Sequence, residues 1–233
     1  MSTDQFNPRL RRVLSSFDRS GSYEPLVLGN PDGDVLLQLF INPLSAACRE
    51  FFSDEFDVTR QVVEGMGSVR VELRPIAPVM RMRVTGISYD VQRGMNQYRL
   101  SDKFSPVDFA EFVHALREEV SDEDVIRTIQ RGCEAKESVL TFERLEIFAE
   151  DVGVDDGSKL LTEIEQGTHR GRVRRDSELW FRLLRGERQR RSPEDTIIFV
   201  NGSETQTYTA TAISRHLTSV ERVRGIDNGI SEE

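Results

Sequence analysis

Cysteine, lysine and histidine are scarce in this chain of 233 residues. Its two cysteines, Cys48 and Cys133, exclude a disulfide-stapled scaffold and a four-cysteine zinc site. Three histidines beside them offer little for a Cys/His centre, and no metal is expected. Lysine occurs only at 103, 136 and 159, so arginine supplies almost all the positive charge. Acids still outnumber bases by 40 to 31, for a net charge of -9. A general nucleic-acid binder carries a basic footprint, so the balance argues against that class of partner. No apolar run approaches the roughly 18 residues of a membrane span, and no membrane partner is expected. The first 25 residues lack the apolar core of a secretory leader, which makes the cytoplasm the expected compartment. A chain this long buries most of the surface its unfolded form exposes and needs no staples.

Residues 1–24 are polar and read as an N-terminal arm, with a short helical stretch at Pro8–Phe17. Asn30-Pro31-Asp32-Gly33 is a turn signal. Val35–Ile41 follows as a nearly continuous apolar run, the pattern of a strand buried on both faces. From Leu44, residues Cys48, Phe51, Phe52, Phe56, Val62 and Val63 recur at roughly helical spacing, with Ser45 at or near the N-cap. Gly65 and Gly67 stop that helix. Val69, Val71 and Leu73 then alternate with Arg70, Glu72 and Arg74 as a second strand. The connection is long enough for a parallel crossover.

Met80–Ser101 carries no clear pattern, whereas Pro106 to about Glu165 reads as helices. Phe109, Phe112, Val113 and Leu116 share one face, and Ser121-Asp122-Glu123-Asp124 opens a further helix. Leu140–Val152 is the next, Asp155-Asp156-Gly157 breaks it, and Lys159–Glu165 is short. Asp176–Arg188 closes the block, with Trp180 spaced among Leu179, Leu183 and Leu184 as a core residue. Thr196–Val200 then meets Asn201-Gly202, a strong hairpin signal, with Thr205–Thr209 as the returning strand. Ala210–Arg224 is the closing helix. The expected layout is an arm (1–24), a βαβ half (25–100), a helical insertion (101–191), a ββα half (192–224) and a tail (225–233).

This order, with three residue strings, resembles the DsbA-like family. Gly29-Asn-Pro-Asp-Gly-Asp-Val35 is similar to the family's entry loop. Phe40-Ile-Asn-Pro-Leu-Ser-Ala-Ala-Cys-Arg-Glu-Phe51 resembles its strand, active-site turn and helix, which carry Cys-x-x-Cys followed by an aromatic residue. Asp195-Thr196-Ile-Ile-Phe-Val-Asn-Gly202 resembles its cis-proline segment. The resemblance implies an α/β fold, a thioredoxin-like three-layer sandwich with an inserted helical subdomain. It also implies a motif with two departures. Ser45 stands where the attacking cysteine belongs, with Cys48 in the place of the second. Thr196 stands where the proline belongs, so that Asp195 and Thr196 fall at the substrate-binding segment.

Ser45 and Cys48 are therefore the candidate catalytic residues. A dithiol oxidoreductase attacks a disulfide with an exposed thiolate and resolves the mixed intermediate with a second thiol. Serine cannot form that intermediate, and its hydroxyl needs a neighbouring base, for which His169 is the one considered. The resemblance thus implies a protein related to thiol-disulfide oxidoreductases without dithiol activity. It would act as a monothiol on a thiol partner or as a module that binds another protein. Two further classes stay open. One is a glutathione-dependent transferase or isomerase using Ser45 or Cys48. No cofactor is expected otherwise. The other is an interaction module built on the arginine-rich stretch 170–191, where Arg172, Arg174 and Arg175 would meet an anionic partner. Plainer readings compete with each: Ser45 as an ordinary helix cap, Cys48 as a small buried hydrophobe, Cys133 as a bystander rather than a distant resolving partner of Cys48, which only the fold decides, and the arginines as a solvated face paired within the molecule.

Overall fold

The computed structural model describes residues 25–43, 45–77, 106–135, 140–184, 197–205 and 207–229. The arm 1–24 with its Pro8–Phe17 stretch, Met80–Ser101, the end of the arginine-rich stretch (185–191), and Asp195 and Thr196 lie outside these residues. The chain divides into two compact units. The first takes the residues to Leu39, Glu50–Arg74 and those from Arg182 onward; the second takes Phe40–Arg49 and Pro75–Phe181.

The first unit holds most of a five-stranded sheet. Its strands are β1 (Leu26–Gly29), β2 (Val35–Ile41), β3 (Val69–Pro75), β4 (Ile198–Val200) and β5 (Ser203–Glu204), in spatial order β1-β3-β2-β4-β5. All seven residues of β2 are buried, as its continuous apolar run requires. Val35 N–H bonds to Ser68 O and Ile76 N–H to Ile41 O, so β2 and β3 advance together, as in a parallel crossover. β4 pairs antiparallel with the other edge of β2, Leu37 opposite Val200 and Leu39 opposite Ile198. The one polar residue in β2, Gln38, donates through Nε2 to Glu72 Oε2 at 3.2 Å. Arg74 and Arg70 hold the same carboxylate at 2.8 and 3.1 Å, so the buried charge is paired.

Three expectations need correction here. Leu26–Gly29, ahead of the strand expected first, is itself a strand, antiparallel to β3 with Leu26 opposite Leu73. The returning strand of the hairpin is Ser203–Glu204 rather than Thr205–Thr209. This follows from the turn itself. Asn201 (φ 48°) and Gly202 (φ 80°) both have positive φ, the mark of a two-residue type I′ turn, so pairing resumes at once. The closing helix, finally, runs through Gly229 and takes in part of the expected tail.

The helix after β2 has three parts: α1 (Ala46–Glu50), a π-helical turn (Phe51–Glu55) and α2 (Phe56–Glu64). In the π turn, Phe56 N–H reaches back five residues to Phe51 O. The extra residue brings the Phe51 and Phe56 rings edge to face at 6.2 Å, with Phe52 stacked on Phe56 at 4.8 Å. The closing helix α8 (Ala210–Gly229) packs on α2, and Ala210 N–H donates to Glu55 Oε2 at 2.8 Å.

The second unit is helical: α3 (Pro106–Leu116), α4 (Asp122–Glu134), α5 (Phe142–Asp151), α6 (Gly157–Gln166) and α7 (Arg170–Leu184). Side-chain caps start three of them. Ser121, Thr141 and Asp156 accept from Asp124 N, Arg144 N and Ser158 N. α7 starts six residues before the expected Asp176, through an arginine-rich turn whose one apolar anchor, Val173, is buried with Ala77, Val107 and Ala110. α4 approaches α3 closely at Gly132, where a Cβ would lie 2.3 Å from Phe109 Cε2. Phe109 is fully buried and cannot swing away. Gly132→Ala is therefore expected to destabilise the chain by about 1–3 kcal/mol despite its better helix propensity, read as a lower denaturant midpoint.

Candidate functional site

β2 ends at Ile41, and Asn42 and Pro43 lead to the motif turn. Ser45 N–H donates to Asn42 O at 2.9 Å, which closes that turn, and Arg49 Nη1 donates to Pro43 O at 3.1 Å. Ser45 then caps the helix: its Oγ accepts from Cys48 N–H at 3.3 Å, while Arg49 N–H bonds to its carbonyl. Ser45 is 5% exposed, with its hydroxyl turned to the helix end. Ser45→Ala is expected to cost about 0.5–2 kcal/mol through the lost cap, visible in thermal or urea unfolding.

Cys48 lies one turn into the helix at 0% exposure. Its neighbour is the chain's other cysteine. Cys133, in the last turn of α4 and likewise at 0% exposure, places its Sγ 3.7 Å from Cys48 Sγ. Cys133 is thus no bystander. The two thiols, 85 residues apart in the chain, form a buried pair within the second unit. Burial, then the hydrogen bond to Cys48, pushes the Cys133 thiol well above its ordinary range, so Cys133 stays protonated at neutral pH.

The remaining sequence candidates separate from this pair. Asp195 and Thr196 lie outside the described residues. His169 has both ring nitrogens engaged, Nε2 with Glu163 Oε2 at 2.9 Å and Nδ1 with Arg172 Nη1 at 3.3 Å. Arg172 also ion-pairs with Glu118, and Arg174 Nε reaches Glu178 Oε1 at 3.0 Å; Arg175 is half-buried on the same helix. Those pairs set acidic side chains of the same unit against the positive charge of α7.

Sequence reading missed a buried polar group on α3. Asp108, Glu111 and His114 recur every third residue in an otherwise apolar helix, and that periodicity was the available signal. Glu111 Oε1 accepts from Arg170 Nε at 3.0 Å, and His114 Nε2 lies 3.5 Å from Asp176 Oδ2. Burial lowers the His114 pKa more than the Asp176 carboxylate raises it, and Arg117 and Arg172 push the same way as burial. His216, half-buried, is lowered by burial as well. Such a group binds fewer protons folded than unfolded, so its stabilising contribution is complete above about pH 6.5 and is lost as pH falls towards the folded value. Between about pH 7.5 and pH 5, wild type is expected to lose more unfolding free energy than His114→Gln, with a slope bounded by about 1.4 kcal/mol per pH unit per proton. Urea titrations at each pH measure the difference.

Among the described residues no group of His, Cys, Asp and Glu is arranged to hold a metal ion, and no helix is long and apolar enough to cross a membrane. No family model and no curated protein matches the sequence. Solved structures do match. DsbA of Chlamydia trachomatis has a TM-score of 0.63 at 15% identity, covering 86% of this chain and 91% of that one. BdbD of Bacillus subtilis, in its oxidised form, has a TM-score of 0.60 at 15% identity, covering 84% and 91%. The thiol-disulfide exchange protein alpha-DsbA2 of Wolbachia pipientis has a TM-score of 0.60 at 11% identity, covering 94% and 99%. The βαβ start, the helices between, and the hairpin and helix at the end are thus the thioredoxin-type fold with a helical insertion, the architecture of DsbA-type thiol-disulfide oxidoreductases.

Proposed function

We propose that this protein works by binding another protein and carries out no thiol-disulfide exchange at its motif. One observation carries the reading: the hydroxyl in the attacking position caps the helix, and the thiol behind it is sealed at 0% exposure. Exchange begins with an accessible thiolate in line with a substrate disulfide. Ser45 supplies no thiolate, and Cys48 offers no surface to a disulfide on another chain. A monothiol role for Cys48 is weakened by the same burial. What the fold then offers is a scaffold for recognition, since the same architecture hosts unrelated functions.

The test is reduction of insulin disulfides with dithiothreitol as electron donor. Wild-type protein is expected to leave the rate at its uncatalysed value. A clear acceleration that disappears in Cys48→Ala would overturn the proposal.

A further inference from the structure

We infer that Cys48 and Cys133 form an internal redox site, which a peroxide-class oxidant converts into a disulfide joining α1 to α4. The inference stands apart from the binding proposal, because it concerns chemistry between two side chains of one unit and needs no substrate at the motif. It rests on geometry. The only two cysteines of the chain meet at 3.7 Å, a van der Waals contact, although 85 residues separate them. Both sit on helices: Cys48 in the first turn of α1, Cys133 in the last turn of α4. Closing the bond requires the sulfurs to approach to about 2 Å.

The surroundings select the oxidant. Both thiols are completely buried, which excludes a bulky disulfide such as oxidised glutathione. Ala46, two residues before Cys48, is exposed, so local opening of the motif turn is the step that admits an oxidant as small as a peroxide. Cys48, on the side of exposed Ala46, takes the oxidant first, and Cys133, in the last turn of α4, is the resolving thiol. The Cys48 sulfur gives up its proton and attacks one oxygen of hydrogen peroxide. An S–O bond forms, the O–O bond breaks, and hydroxide leaves to take up a proton as water. The Cys133 sulfur then attacks the sulfenic sulfur. The S–S bond forms, the S–O bond breaks, and the departing hydroxide leaves as water with the Cys133 proton. Two thiols are oxidised by two electrons in all, and one peroxide becomes two waters. The product ties the motif segment Phe40–Arg49 covalently to the helices of the same unit.

Full-length reduced protein is treated with hydrogen peroxide, quenched, unfolded, alkylated and mapped by mass spectrometry. Both alkylation sites are expected to vanish together, with a linked peptide pair containing Cys48 and Cys133 that is two hydrogens lighter and is restored by a phosphine reductant. The oxidised chain is expected to unfold at a higher temperature than the reduced one. Cys133→Ala is expected to give no linked pair, and the wild-type map decides alone should that variant not fold. Three results would each overturn the inference: a sulfinic acid on one cysteine with the other still alkylated, a covalent dimer, or two thiols that survive in the folded chain an exposure that oxidises the unfolded chain.

Discussion

Ser45→Cys is expected to raise thiol-disulfide exchange well above the wild-type rate. The substitution sets a thiol at the start of the helix with Cys48 one turn behind it, the spacing that lets a second thiol resolve a mixed disulfide. The amide that Ser45 caps lies at the N-terminus of a helical run extending through Glu64, where the dipole favours a thiolate. Removing a nucleophile from an efficient enzyme costs about 10⁶-fold, and restoring the nucleophile alone returns only part of it; a gain of roughly 10²-fold in insulin reduction is expected. The double variant Ser45→Cys/Cys48→Ala separates the roles, since it should form mixed disulfides that persist. A Ser45→Cys protein that folds but stays at the uncatalysed rate would mean that the motif turn is closed to substrates for a reason other than the missing sulfur.

The largest loss of stability is expected at Glu111. Its carboxylate is completely buried and meets Arg170 Nε at 3.0 Å, while the Arg170 side chain is 18% exposed. Glu111→Leu leaves the guanidinium, which cannot give up its proton, in a site that water reaches only in part. The cost is expected at about 3 kcal/mol, the lower end of the 3–5 kcal/mol for one half of a buried pair because some exposure remains. Pairing the change with Arg170→Met should recover most of the loss, as replacing both members with apolar groups of similar volume does elsewhere. Denaturant unfolding of the four proteins in this cycle gives the coupling directly. A double-variant loss equal to the sum of the two single losses would show that Glu111 acts through packing and not through Arg170.

The contrast between these two sites explains what could be read in advance. β2 was legible because burial on both faces demands an unbroken apolar run. The hairpin was legible because positive φ at two adjacent positions is affordable only to residues such as Asn201 and Gly202. Ser45 and Ser121 could be placed as caps because a serine hydroxyl satisfies an orphan amide within its own turn. Each of these is a local constraint. β1 was missed because four residues opposite β3 show too little alternation to register, and the start of α7 because one valine among arginines gives no stripe. The Cys48–Cys133 contact depends on how α1 and α4 pack and the Glu111–Arg170 pair on how α3 and α7 pack, which no short window of sequence contains.

The sheet order has a consequence for the making of the protein. β1, β3 and β2 come from adjacent stretches early in the chain and can pair soon after they leave the ribosome. The other edge of β2 has no such neighbour. Its partner β4 arrives only after every helix of the second unit has been synthesised, and the clamp beside it, Leu36 N–H to Asn201 Oδ1 at 2.8 Å, joins residues 165 apart. During that interval β2, buried along its whole length in the finished fold, presents unpaired amides and carbonyls on one edge, a template for pairing with another nascent chain. Growth temperature and translation rate should therefore govern the soluble yield of this protein more strongly than its equilibrium stability does.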